Sequence, residues 1–141
     1  MPIFFGGYKY SYGESMIAGI GIDIVEIARL KAAIEKFGSH FIARMCTEPE
    51  QAGHYHLSEG DIIYYAGRWA AKEALAKALG CGIGNQCSFT DITVANDLNG
   101  SPKISLTGSA QETYQKIGGR AIKLSISHEH SYAVAMVVIE G

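Results

Sequence analysis

Asp23, Glu73 and Lys77 are the side chains whose types and settings point to chemistry. Two carboxylates, completed by waters and by the phosphates of a substrate, are the usual way a protein holds Mg2+. Arg68, Lys72 and Lys77 place cations around one of those carboxylates, which suits a phosphorylated substrate bridged by a metal. Each member also has an ordinary reading. A Glu73–Lys77 pair at i, i+4 contributes ~0.3–0.5 kcal/mol to a helix and needs no function. Asp23 could cap the helix that follows it. His128 and His130 alternate in Ser125-Ile126-Ser127-His128-Glu129-His130 and would face one side of a strand. They would bind metal only with a third ligand, so a His beside a phosphate, or a satisfied structural His, fits better.

The element that must carry Glu73 and Lys77 is a helix from about Asp61 to Leu79. Tyr64 to Leu79 is dominated by Ala, Leu, Lys and Glu, the strongest helix formers, and Gly80 follows as a stop. At about 100° per residue, Ile63, Ala66, Ala70, Ala74 and Ala78 share one broad apolar face. Glu73 and Lys77 border that face one turn apart. Arg68 and Lys72 form a second aligned pair about 100° further round. So Ala-rich a face is built for close packing, and a carboxylate on its margin then needs a cation or donor beside it.

Asp23 sits on a β-branched run, Ile17 to Ile27, which reads as a strand. Its even positions, Ala18, Ile20, Ile22 and Ile24, read as the core face. Its odd face carries Gly19, Gly21 and Asp23, leaving space for something to approach closely. The Gly-x-Gly lacks the third glycine of a dinucleotide fingerprint. Past the long helix, Gly80, Gly82 and Gly84 alternate. They could bring backbone amides to a phosphate, or simply make a helix cap and a surface turn.

The rest of the chain reads in order as follows. Glu26 to Phe37 is a helix with Arg29, Lys31 and Lys36 off its apolar stripe, and Phe41 to Cys46 is a short turn. Thr47-Glu48-Pro49-Glu50 resembles a capping box opening a helix to about Leu57. His54 and His56 on that helix would point to different faces, as surface histidines. Phe89 to Ala95 and Pro102 to Thr107 pair across an Asn96–Gly100 loop. A helix spans Ser109 to Ile117, and a terminal hairpin pairs Ile122 to His128 with Ser131 to Ile139. This order predicts an α+β domain over residues 16–141, with helices packed on an antiparallel-rich sheet and one long central helix. Residues 1–15 read as a loosely ordered extension rather than a signal peptide, with Met16 as an alternative start.

Among 141 residues, 48% are hydrophobic and 18% charged, which describes a globular chain. A net charge of −2 argues against general nucleic-acid binding. No stretch approaches the roughly 20 apolar residues of a membrane span. Three cysteines without Cys-x-x-Cys spacing favour reduced thiols and a cytoplasmic location.

From Ile17 to Glu140 the chain resembles the holo-[acyl-carrier-protein] synthases, the small trimeric class of 4′-phosphopantetheinyl transferases. The matching pieces are Gly19-Ile-Gly-Ile-Asp23-Ile-Val-Glu-Ile-Ala-Arg29, Ala66-Gly-Arg68-Trp-Ala-Ala-Lys72-Glu73-Ala-Leu-Ala-Lys77-Ala, Gly82-Ile-Gly84 with Ser88-Phe-Thr-Asp-Ile, Asn99-Gly100-Ser-Pro102, and Ser125-Ile-Ser-His128. Trp69 departs mildly, standing where many relatives carry Phe. The resemblance implies Mg2+-dependent transfer of 4′-phosphopantetheine from coenzyme A to a serine of apo-acyl carrier protein, in the service of fatty acid synthesis. It implies Asp23 and Glu73 as Mg2+ ligands, Glu73 and Lys77 as catalytic groups, and Arg68, Lys72, Gly82 and His128 on coenzyme A. Arg29 would meet the carrier protein, and active sites would lie between the subunits of a homotrimer. Two other readings compete. A non-catalytic module would bind carrier protein or coenzyme A indifferently to Mg2+. A small thioesterase would release free thiol from acyl-coenzyme A, but would have no use for a Lys-Glu-x-x-x-Lys run beside a buried Asp.

Overall fold

The computed structural model describes residues 3–5, 8–10 and 16–141. Strands β1 (Ile3–Phe5) and β2 (Tyr8–Tyr10) pair antiparallel. The expectation of a loosely ordered extension otherwise falls outside the described residues.

The strand β3 (Ile17–Glu26) leads into α1 (Ile27–Phe37), α2 (Ser39–Met45), α3 (Glu48–Gln51) and the 20-residue α4 (Glu59–Ala78). Ser58 opens α4 by accepting the Asp61 amide on its hydroxyl at 3.1 Å. A 3-10 turn at Phe89–Asp91 precedes the hairpin β4 (Ile92–Asn96) and β5 (Pro102–Leu106). Then come α5 (Gly108–Lys116), β6 (Ala121–His128) and β7 (Tyr132–Glu140). β7 is the middle strand of a three-stranded antiparallel sheet, in the order β3-β7-β6. The expected α+β architecture with one long helix packed on an antiparallel sheet is what the chain adopts.

α4 lies on this sheet through its smallest side chains. Ala66, Ala70 and Ala74 are fully buried. Opposite them, β7 presents Ala133, Ala135, Val137 and Ile139, all buried. From β3 it is the glycine face that meets the helix. A Cβ added at Gly19 would collide with the Ala78 carbonyl, and one at Gly21 with the Ala74 carbonyl. Two backbones this close leave no room for side chains between them.

The face expected to be core is therefore the opposite one. Ile20, Ile22 and Ile24 are 60%, 60% and 64% exposed, and Tyr132 and Met136 extend the same apolar face across β7. The alternation was read in phase, but the helix takes the side without Cβ atoms, and the branched side chains are left on the outer surface.

Two further expectations change. α3 ends at Gln51, so His54 lies in the following loop rather than on a helix. There its ring stacks on Tyr64 with centroids 3.5 Å apart, and its Nδ1 meets Asp61 Oδ1 at 2.8 Å. The strand expected from Phe89 begins only at Ile92. Asp91 Oδ2 accepts from the Ser88 amide at 3.4 Å and the Ser109 hydroxyl at 2.6 Å, turning the chain there first.

Candidate functional site

The close seating of α4 on Gly19 and Gly21 brings Asp23 and the last turns of α4 together. Asp23 stands in mid-strand opposite Ala135, on the helix side of the sheet. Lys77 Nζ donates to Asp23 Oδ1 at 3.1 Å and to the Ile22 carbonyl at 2.9 Å. Asp23 makes no cap for α1, whose N-cap position is Glu26 without a side-chain bond. Glu73 sits one turn before Lys77. Its carboxyl is pushed up from its ordinary value, first by burial and then by the Asp23 carboxylate, with Lys77 pulling it down. The three groups thus form one electrostatic unit from two elements, and the bare helix pair does not describe Glu73 and Lys77.

A cleft of about 420 Å3 opens over this unit, and Asp23, Glu26, Arg29, Phe41, Trp69 and Glu73 line it. Arg29 reaches it from the exposed side of α1. Trp69 forms its wall, stacked on Phe41 at 5.8 Å and against Phe89 at 4.8 Å between centroids. Sequence reasoning took Trp69 for packing and passed over Glu26. Trp69 stands one turn before Glu73 on the same side of α4, which was the available signal for it; Glu26, in the opposite phase of β3 from Asp23, carried none.

The donor set fits a hard cation. Two carboxylates, one of which raises the other's cost of ionisation, would gain from a divalent ion between them and leave its remaining positions to water and substrate oxygens. Among the described residues, no cluster of three His, Cys, Asp or Glu side chains offers a site for a softer metal.

Lys72 is not in this cleft, and its expected place on substrate is corrected. Its side chain is fully buried, with Nζ 2.6 Å from Glu50 Oε1, 2.7 Å from the Met45 carbonyl and 3.0 Å from the Phe89 carbonyl. Glu50 closes the network by accepting from the amides of Thr47 and Val94, each at 2.8 Å. All three ammonium donors are engaged, so none is left for a ligand. The capping box was legible, but not that its glutamate would also neutralise a core lysine.

Arg68, 7% exposed, donates from Nη2 to Asn96 Oδ1 at 3.3 Å and lies 4.1 Å over the Tyr64 ring. Its Nε is buried without a partner. Gly82 has φ of +68°, and its amide donates to the Ala76 carbonyl at 3.2 Å. The amides of Gly80 and Gly84 likewise go to Lys77 and Cys87 carbonyls. The glycine run is a helix cap and a turn, and its amides are not free for a phosphate. His128 ends β6 and lines a separate depression of about 320 Å3 with Ile24, Ser127, Glu129, Tyr132 and Val134. Within one chain it does not join the carboxylates, and His130 lies beyond the strand.

The class follows from comparison with known proteins. Residues 19–137 match the family model of the 4′-phosphopantetheinyl transferase superfamily. A holo-[acyl-carrier-protein] synthase of Shewanella frigidimarina is 46% identical over 125 residues, covering 89% of this chain and 98% of the relative. The crystal structure of the Neisseria meningitidis holo-[acyl-carrier-protein] synthase superposes with a TM-score of 0.82 at 36% identity, over 89% of this chain and 100% of that one. The Bacillus anthracis enzyme, solved in complex with CoA (3′,5′-ADP), gives a TM-score of 0.76 at 40% identity, over 89% and 98%. The chain belongs to the holo-[acyl-carrier-protein] synthases.

Proposed function

We propose that this chain performs the reaction of its family at the Asp23–Glu73–Lys77 cleft, with Asp23 and Glu73 holding Mg2+. The observation that carries this is the convergence of a strand carboxylate, bonded by Lys77, and a helix carboxylate whose titration feels both, in one open cleft. In the reaction, the serine hydroxyl oxygen of apo-acyl carrier protein bonds to the phosphorus of the phosphopantetheine arm. The pyrophosphate P–O bond of coenzyme A breaks, and adenosine 3′,5′-bisphosphate leaves. When bound, Mg2+ supplies charge neutralisation across the pyrophosphate and polarises the phosphorus. Glu73, or a water that it holds, accepts the serine proton, and burial beside the Asp23 carboxylate pushes its carboxyl in the direction that favours holding one. Lys77 stabilises the negative charge that develops on the departing phosphate. The unspent Nε of Arg68 supports that residue as a coenzyme A contact.

Arg29 is exposed at the cleft mouth on a helix that also exposes Lys31 and Lys36. Such a surface steers an acidic carrier protein toward the site. The exposed isoleucine face of β3 supports a homotrimer, since an apolar patch of this kind on a small domain marks an interface. His128, at the end of β6, borders a depression shared with Ile24 and Tyr132 and would then serve a site completed by a neighbouring subunit. The three free cysteines fit a reducing compartment, the cytoplasm.

The test is mass spectrometry of apo-acyl carrier protein incubated with coenzyme A and the enzyme, with and without Mg2+. One added phosphopantetheine, only with metal, is expected; no added mass under saturating conditions refutes the proposal. Asp23→Asn should abolish metal-dependent turnover while thermal unfolding stays close to wild type. Unchanged turnover in that variant would remove the metal assignment.

A further inference from the structure

The loop behind α4 carries two of the chain's three cysteines, and the fold brings them together. Cys81 and Cys87 lie on one short loop, whose far part closes as a tight turn from Gly84 to Cys87. Gly84 N donates to Cys87 O at 3.0 Å, and Cys87 N donates back to Gly84 O at 3.3 Å. The near end of the loop is pinned to the helix. The amides of Cys81 and Gly82 both donate to the Ala76 carbonyl at 3.2 Å, and the Cys81 thiol lies 3.8 Å from the same oxygen. Cys87 is fully buried, and Cys81 packs partly buried against the same apolar cluster. Each thiol influences the titration of the other. Cys46 lies in the other apolar cluster, among Ile27, Leu30 and Ile34.

We infer that Cys81 and Cys87 form a redox-active dithiol that closes reversibly to an intramolecular disulfide under a low-molecular-weight disulfide oxidant such as glutathione disulfide. The Cys81 thiolate, once its proton has gone to solvent, attacks one sulfur of the oxidant and releases one glutathione thiolate. The Cys87 thiolate then attacks the Cys81 sulfur, breaks the mixed disulfide and releases the second glutathione. Two cysteine thiols are oxidised, and one glutathione disulfide is reduced to two thiols.

Exposure orders these steps, because only Cys81 is open to an oxidant from solvent. Burial pushes Cys87 up to about 12 and raises Cys81 as well, so both thiols rest protonated and exchange speeds up with alkaline pH. Thiols held on one short loop and packed against the same apolar cluster need less backbone movement to reach bonding distance than thiols on separate elements. A disulfide across so short a turn is more reducible than one spanning a long loop, which makes closure reversible. The bond would replace the Cys81 contact with Ala76 and stiffen the loop directly behind Lys77.

The test takes the reduced full-length protein, equilibrates it with glutathione disulfide at mildly alkaline pH, quenches in acid, denatures and alkylates. The number of alkylated cysteines should fall from three to one. Both cysteines lie in one tryptic peptide, Ala78–Lys103, which should be lighter by two hydrogens and regain them with dithiothreitol. In Cys87→Ser the resolving thiol is gone, so glutathione should remain attached at Cys81. Three alkylated cysteines after oxidation, a stable glutathione adduct on Cys81 of the wild type, or a bond to Cys46 would each overturn the inference. None of these readouts depends on transferase activity.

Discussion

Replacing Lys72 by Met removes the ammonium from a wholly buried network while keeping most of the side-chain volume. Three bonds disappear, those to Glu50 Oε1, the Met45 carbonyl and the Phe89 carbonyl. The Glu50 carboxylate, 1% exposed, is left without a counter-charge, although the amides of Thr47 and Val94 still donate to it. Breaking a buried ion pair from one side costs about 3–5 kcal/mol, because the surviving charge stays desolvated. With a urea dependence of about 2 kcal/mol per molar, a cost near 4 kcal/mol lowers the unfolding midpoint by about 2 M. Trp69, the single tryptophan, is packed between Phe41 and Phe89, whose carbonyl Lys72 holds, so its fluorescence reports the same region. The double variant Glu50→Gln/Lys72→Met should lose less than Lys72→Met alone, since the uncompensated charge is gone and a neutral acceptor remains for Val94 N. A Lys72→Met midpoint within about 0.5 M of wild type, which is about 1 kcal/mol on the same slope, together with a raised KM for coenzyme A, would refute the structural role. It would return Lys72 to the substrate.

Three further outcomes follow from single contacts. Gly21→Ala drives a Cβ into the Ala74 carbonyl, and backbone cannot yield as a side-chain end can, so stability should drop by about 1–3 kcal/mol or more in thermal unfolding; an unchanged Tm would mean that α4 does not sit so close to β3. The Asp61 carboxyl is held below its ordinary value, first by its hydrogen bond to His54. Its stabilising contribution is thus present above the usual carboxylate range and is lost as pH falls through the lowered pKa. Asp61→Asn should accordingly be less stable than wild type at pH 7, with the gap closing as pH falls below the ordinary carboxylate range; a gap independent of pH contradicts the pairing. Ile22→Lys places a charge on the open apolar face; on the proposed homotrimer, light scattering should show about three times 15.2 kDa for wild type and the mass of one chain for the variant. A trimer that persists in that variant would place the interface elsewhere.

How far the sequence carried depends on what each signal reports. Helix propensity and the stop at Gly80 located α4 to within two residues at each end, because these are local properties of the chain. The spacing of Glu73 and Lys77 put them on one side of the helix, and Gly19 and Gly21 announced a close approach at Asp23. The same geometry failed for Lys72. An angle around a helix says which residues are neighbours, not what lies opposite. Opposite Lys72 lie Glu50, Met45 and Phe89, from α3, α2 and the 3-10 turn. That partnership spans 22 residues between Lys72 and Glu50 and is set by how α3 and β4 pack, which no local pattern encodes. His54 was misplaced for a related reason, since its partners Asp61 and Tyr64 come from the next helix.

β3 shows how such an error can be informative. A period of two reports that one face of a strand will be buried, without saying against what. In β3 both faces have claims. The glycine face is the only one that admits the α4 backbone, and that contact is what brings Asp23 within reach of Lys77 and Glu73. The isoleucine face is then free to be apolar for another purpose. Leaving Ile20, Ile22 and Ile24 about 60% exposed forgoes part of the roughly 1.5–3 kcal/mol that burying each such side chain contributes. A domain of this size that carries such a row on its outermost sheet face is better satisfied when the row meets a second copy. The strand that carries Asp23 on its inner side would thereby supply the subunit contact from its outer side. A substitution on either face should then be felt at the other, through a strand that has no slack against α4.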